Sequence, residues 1–190
     1  MQAARGASLT SDTGAHSNRS RTGLLLGVAV GAWLVDLVTK TLALHKLDPS
    51  DPVDAVGSLL RLHLTGNPGA AFSTGTGATP LISLFAIAAF GVVLWLSFRV
   101  RDTVWAWAFG LLLAGIAGNL TDRLFREPGP LRGHVIDFLE LPHWPIFNVA
   151  DICINIAAVL IIIQSLRGIP LGGAKGDKAV DAAVDQEEKP

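Results

Sequence analysis

Four stretches of this chain, residues 23–44, 81–98, 104–120 and 147–166, are apolar over close to the length that crosses a bilayer as a helix, about 20 residues. Runs of that length exclude most soluble architectures, because in hydrocarbon every backbone polar group must be satisfied within its own segment. Half of the residues are hydrophobic and 16% are charged, which points the same way. The first run could pass for a secretory leader. It is longer than a leader's apolar core, contains Asp36 and Lys40 and is followed by no small-x-small cleavage site, so it is read as a membrane helix. The expected fold is a mainly α membrane protein with four transmembrane helices, over about 24–44, 80–98, 104–124 and 147–166, and a small extracytoplasmic β element and loop. Residues 1–22 and 168–190, polar or charged and without periodic pattern, read as disordered cytoplasmic tails around a membrane domain at 23–167.

Between the runs, the spacing is uneven. Residues 45–79 form a long connection in which apolar and polar residues alternate from Leu60 to Leu64, a strand signal that breaks at Gly66, Asn67, Pro68 and Gly69. Pro80 suits the first turn of the second helix, where its missing N–H does no harm. Arg99, Arg101 and Asp102 are nearly all that separates the second and third runs, so these two helices form an antiparallel hairpin. Four spans leave both termini on one side. Lys and Arg near the spans (Arg19, Arg21, Arg99, Arg101, Arg167 and Lys175 against Lys46, Arg61, Arg123, Arg126 and Arg132) are nearly balanced, and the short loops favour cytoplasmic termini.

That topology assigns depths. At ~1.5 Å per residue Asp36 lies roughly 18 Å along the first helix, in the outer half of the bilayer. Asn119, Asp122 and Arg123 end the third helix on the same side, Asn148, Asp151 and Asn155 begin the fourth, and Asn67 and Asp137 come from the two outer loops. Residues 133–151, GHVIDFLELPHWPIFNVAD, carry a carboxylate near each end of a segment too apolar for an ordinary surface loop. Ionisable groups in or beside hydrocarbon mark function by default, each with a partner to be named. For Asp151 that partner is Asp137.

Each residue also has a plainer reading. Asp36 and Lys40, four apart on one helix, suit a local ion pair, Arg123 suits snorkelling to headgroups, and Asn119, Asn148 and Asn155 suit interhelical hydrogen bonding. Asp122 can pair with Arg123 or Arg126, and Gly27 and Gly31 suit helix packing. Trp33, Trp105 and Trp107 suit either lipid contact or a packed core. His63, His134 and His143 lack metal-ligand spacing, so no metal site is expected. The single cysteine, Cys153, permits no internal disulfide, and a net charge of −1 excludes a basic nucleic-acid binder. Convergence on one depth from several chain segments is what local explanations leave over.

The residues resemble those of the lipoprotein signal peptidases, the type II signal peptidases of bacteria, over about 24–166. The blocks are VDLVTK (35–40), GNPGAAFS (66–73), GNLTDRL (118–124), GHVIDF (133–138) and FNVAD (147–151), in the family's order. Leu37 replaces the family's usual Gln, Pro68 stands where a small polar residue is common, and the loop from Asp137 to Asp151 is compact. The resemblance implies an aspartic endopeptidase of the bacterial cytoplasmic membrane that removes signal peptides from diacylglyceryl-modified prolipoproteins, before the lipidated cysteine, without a cofactor. Asp137 and Asp151 would be the catalytic pair, with Asp36, Lys40, Asn67, Asn119, Asp122, Arg123 and Asn148 as support and substrate contacts. Asn148 or Arg123 would steady the oxyanion, and the enzyme would act as a monomer on lipid-anchored substrate. The rival readings are a small transporter or proton relay, which would spread polar residues through the bilayer depth, and a non-catalytic assembly subunit.

Overall fold

The computed structural model describes residues 21–69 and 78–172. Its elements are α1 (Thr22–Lys46), β1 (Val53–Val56), β2 (Leu60–Asn67), α2 (Thr79–Ser97), α3 (Thr103–Phe125), β3 (Val135–Glu140) and α4 (Val149–Leu166). All four helices are long and apolar enough to span a membrane. Of the expected tails at 1–22 and 168–190, residues 1–20 and 173–190 lie outside the described residues, as do residues 70–73 of the block GNPGAAFS, while Thr22 begins α1 and residues 168–172 are described.

Helix α3 is the axis of the bundle. Half of its most apolar window is buried, against 11% for α1 and α2 and 22% for α4. Its sequence explains this, because small residues such as Ala106, Ala108, Gly110, Ala114 and Gly115 recur along it and let neighbouring backbones approach closely. A Cβ on Gly110 would stand 2.8 Å from the carbonyl oxygen of Leu25 in α1, and one on Gly115 would stand 2.5 Å from that of Ala150 in α4. Gly27 and Gly31, expected to serve packing, do not: nothing lies within 4 Å of a Cβ at either, since both face outward. The outer faces of α1, α2 and α4 carry exposed Val30, Leu34, Phe85, Val92, Val159 and Ile162, the side chains that meet lipid tails. Trp105 is buried in the core and Trp107 is exposed, while Trp33 donates its Nε1–H to Thr121 Oγ1 at 3.1 Å, joining α1 to α3.

One end of the bundle is closed by side-chain caps. Asp102 Oδ1 accepts the N–H groups of Val104 (2.9 Å) and Trp105 (3.0 Å), capping α3, and also the amide of buried Gln164 from α4 at 2.8 Å. Residues 169–171 fold against the same corner, where Trp105 Nε1–H donates to the Ile169 carbonyl and the Arg101 N–H to that of Leu171.

At the opposite end lies an antiparallel sheet in the order β1-β2-β3. The β element is larger than the 60–64 alternation indicates. Strand β2 runs on through Gly66 and Asn67, and Asp137, expected on a loop, sits on β3 opposite Thr65, with Asn67 opposite Val135. A hexad of four apolar residues with acids at Asp137 and Glu140 shows no period-2 pattern, and β3 pairs with a strand about seventy residues away, so no local signal marks it. Leu64, Ile136 and Phe138 pack with Ala43 at the end of α1, which fixes the sheet to the helices.

Candidate active site

Helix α4 starts at Val149 because Asn148 caps it. The Asn148 Oδ1 accepts the Asp151 N–H at 3.0 Å, and Asp151 Oδ2 accepts the Asn148 N–H at 3.1 Å, a reciprocal capping box. Phe147 just before it exchanges backbone hydrogen bonds with Leu139 (both 2.9 Å), so β3 and the entry to α4 form one rigid corner. The two aspartates are therefore placed by the same turn of chain.

Asn148, fully buried, spends its side-chain amide on both sides of that corner. Its Nδ2 donates to Asp137 Oδ1 at 2.6 Å and to Asn119 Oδ1 at 3.2 Å. Asn119 on α3 in turn donates its Nδ2 to Asp151 Oδ1 at 2.9 Å, and Asn67 on β2 donates to Asp137 Oδ2 at 3.1 Å. Both oxygens of both carboxylates are thus held by donors. Asp137 is 2% exposed. Burial pushes its carboxyl up from 3.8 to about 7, and the nearby Asp151 charge adds to the rise, while the hydrogen bonds from Asn148 and Asn67 and the Lys40 charge oppose it.

Behind the pair lies a buried ionic cluster. Lys40 Nζ stands 2.8 Å from both Asp36 Oδ2 and Asp122 Oδ2 and 3.2 Å from Asn119 Oδ1. The second oxygen of Asp36 accepts the Ala150 N–H at 2.8 Å, and Asp122 also accepts the Ile136 N–H at 3.3 Å and pairs with Arg126. Asp36 and Lys40 do form the local pair their spacing suggests, but it is buried and its reach extends to α3, α4 and β3 through these bonds. Lys40 orients the Asn119 amide: with Oδ1 facing the ammonium, Nδ2 faces Asp151.

Arg123 does not snorkel. It is 5% exposed, and its Nη2 donates to the Gly69 carbonyl, while Nη1 has no partner among the described residues. Gly69 is held in place by its own N–H, which donates to Asn67 Oδ1 at 2.9 Å. Asn155, expected to join helices, instead donates to the Asp151 carbonyl on its own helix at 2.8 Å. His63 bonds Glu140 at 3.2 Å, and among the described residues no three His, Cys, Asp or Glu side chains are grouped to hold a metal.

Asp137, Asp151, Asn67, Asn119 and Arg123 open onto one cavity of about 650 Å³. Apart from Asn155, its other walls are mostly apolar, with Ile82, Phe85 and Ala89 from α2 and Ile152 and Ile156 from α4. All nine residues singled out from the sequence gather at this end of the bundle. Trp144, which also lines the cavity, escaped notice as a site residue; its only signal was the unusual apolarity of the segment holding it.

The chain is similar to known proteins in sequence and fold. Residues 28–167 match the family model Peptidase_A8, described as Signal peptidase (SPase) II. A lipoprotein signal peptidase of Leifsonia xyli subsp. xyli is 45% identical over 179 residues, covering 90% of this chain and 83% of that protein, and one of Mycobacterium avium is 41% identical over 165 residues, covering 87% and 91%. Among solved structures, one described as a bacterial membrane enzyme obtained in meso at 2.3 Å resolution superposes with a TM-score of 0.70 at 26% identity, covering 76% of this chain and 88% of that one. A second, at 1.9 Å, gives 0.67 at 27% identity, covering 76% and 93%. On the strength of a family model spanning most of its length and relatives above 40% identity, the chain belongs to the signal peptidase II family and is a multi-pass membrane peptidase.

Proposed function

We propose that this protein removes signal peptides from diacylglyceryl-modified prolipoproteins at the extracytoplasmic face of the bacterial membrane, using Asp137 and Asp151 as its catalytic pair, with both termini in the cytoplasm. The observation that carries this reading is the meeting of the two carboxylates, through Asn148 and Asn119, on one cavity walled in large part by apolar side chains, those of α2 and α4 among them.

Two carboxylates facing one space do not ionise independently, and the pair works with one proton between them. Asp137, the more buried member, holds the proton near neutral pH. Asp151 as carboxylate takes a proton from a water while that water's oxygen bonds to the scissile carbonyl carbon. Asp137 gives its proton to the carbonyl oxygen. The tetrahedral diol then collapses: the C–N bond breaks as the proton on Asp151 passes to the departing amine, and Asp137 takes back a hydroxyl proton as the C=O re-forms, leaving a carboxylic acid and the pair with its one proton. Both amide hydrogens of Asn148 are already committed, so of the two candidate donors Arg123, through Nη1, is the one able to meet the developing oxygen charge.

The apolar walls suit a substrate that arrives in the bilayer. A lipid anchor confines the scissile bond to the depth of the cavity and turns a search in three dimensions into one in two. Every group used here comes from one chain, which supports action as a monomer. A proton relay finds less support: from this polar cluster to the Asp102–Gln164 cap at the far end, the spans are almost wholly apolar. Purified protein in lipid should cleave a diacylglyceryl-modified precursor and not its unmodified form. Equal cleavage of both would remove the anchored-substrate reading, and retained cleavage by Asp137→Asn or Asp151→Asn would remove the dyad.

A further inference from the structure

A peptidase whose cavity meets a lipid-anchored substrate along the apolar side chains of α2 and α4 must still release the mature polypeptide, which continues into water, by some other side of the cavity. Strand β3 leaves the site toward Glu140, and residues 141–147 fold back at once: the Trp144 N–H donates to the Leu141 carbonyl at 3.1 Å, and His143 takes a positive φ of 61°. The backbone bonds between Leu139 and Phe147 close this turn. The result is an indole that is 61% exposed yet anchored at both ends of its loop.

Trp144 has two sides. It lines the catalytic cavity, and it also lines a second, outer cleft of about 390 Å³ whose floor is the cross-strand row Asp54, Arg61 and Glu140 on β1, β2 and β3, bordered by Ser58 and by the turn that holds His143. The cleft is more polar than the cavity, with three charged side chains, Asp54, Arg61 and Glu140, along it. Arg61 bridges it, its Nε 3.3 Å from Asp54 Oδ1 and its Nη1 3.6 Å from Glu140 Oε2, and its side chain remains 42% exposed. These contacts, with the 3.2 Å bond from His63 to the same Glu140 oxygen, are partly solvated and worth little to stability, so the guanidinium and carboxylate can exchange them for a ligand's peptide groups.

The geometry points to this outer cleft, walled by Trp144 and Arg61, as a subsite for the extended polypeptide immediately downstream of the scissile bond. A peptide leaving the dyad crosses the edge of the Trp144 ring and lies between the hairpin and the 141–144 turn. There its amides meet Glu140, its carbonyls meet Arg61, and its side chains meet the indole. The enzyme then reads the first mature residues as well as the lipid. This rests on the peptidase reading given above.

The test uses two synthetic diacylglyceryl-cysteine substrates with the same signal segment, one ending directly after the cysteine and one extended by several residues, cleaved by the full-length protein in lipid. Wild type should show a KM about fivefold or more lower for the extended substrate, as one or two peptide hydrogen bonds give. Arg61→Ala, which alters the cleft alone, should raise KM for the extended substrate toward that for the short one with kcat retained, and Trp144→Ala should narrow the same ratio, with Trp144→Phe restoring part of it. Equal KM values in wild type, or variants that weaken both substrates by the same factor, would overturn the subsite. Cleavage of neither substrate by wild type would instead overturn the peptidase reading itself.

Discussion

Asn148 Nδ2 lies 2.6 Å from Asp137 Oδ1, and the same asparagine caps the helix that carries Asp151. One buried side chain therefore sets both the position of the first aspartate and the local backbone of the second. Asn148→Ala should lose the cap, about 1 kcal/mol, and release Asp137 from its shortest tether. Misplacing a reacting group by an ångström costs on the order of 10²-fold in rate, so kcat should fall by about that factor while the apparent Tm in detergent falls only by a few degrees. A rate loss no larger than the stability loss implies would show that the tether does not position the pair.

The raised Asp137 carboxyl makes a pH prediction with a definite sign. With its value at about 7, the acid form needed to protonate the scissile carbonyl is lost as pH rises through neutrality, so kcat/KM should decline on that limb. The Asn67 hydrogen bond favours the carboxylate and holds the value down. Asn67→Ala should therefore move the alkaline limb to higher pH. A limb that stays in place or moves down would contradict the assignment of Asp137 as the proton holder.

Stability should carry the same signature. Between about pH 4 and 7 the folded protein retains a proton on Asp137 that the unfolded chain, ionising near 3.8, has already lost. Stability from this group is therefore greatest below that window and declines as pH rises through it, by up to a few kcal/mol. Asp137→Asn does not titrate. The variant should gain in apparent Tm relative to wild type from pH 4 to pH 8, and a difference independent of pH would refute the buried, shifted carboxyl.

Lys40 faces two buried carboxylates, Asp36 and Asp122, at 2.8 Å each. Removing one partner from such a cluster strands charge in a dry interior and costs about 3–5 kcal/mol, more than the intact cluster contributes over an apolar replacement. Lys40→Met should therefore be strongly destabilised, and Asp36→Leu combined with Lys40→Met should recover part of the loss in a double-variant cycle read by thermal unfolding in detergent. Additive losses would mean that the two do not act as a unit.

Much of this architecture is legible in the chain itself, for reasons that also mark where legibility stops. A span announces itself because hydrocarbon demands about twenty apolar residues in sequence, and once four spans are counted, connectivity alone puts Asp36, Asn119 and Asp151 at one end. Strand β3 has no such signature, since VIDFLE is stabilised by pairing with distant β2 and by packing on Ala43. The roles of the amides were likewise hidden. Asn119 and Asn148 fit generic interhelical bonding equally well until their partners, Lys40 on one side and the aspartates on the other, are seen to dictate which way each amide turns. Trp144 lies in a segment whose apolarity was visible and whose turn, resting on a positive φ at His143, was not.

The closeness of α3 and α4 determines whether Asn119 can reach Asp151, and Gly115 permits that closeness. A methyl group there would stand 2.5 Å from both the Ala150 carbonyl oxygen and Ile154 Cγ1, contacts that backbone cannot relieve without parting the helices. Gly115→Ala should cost about 1–3 kcal/mol as overpacking, and it should lower kcat beyond that, because moving α4 outward lengthens the Asn119–Asp151 bond of 2.9 Å. Gly27→Ala provides the contrast. Nothing lies within 4 Å of its added carbon, so only helix propensity changes, in favour of alanine by up to about 1 kcal/mol. Measured side by side for thermal stability and cleavage rate, the first should lose both and the second neither; equal behaviour would mean that the α3–α4 contact does not hold the site together.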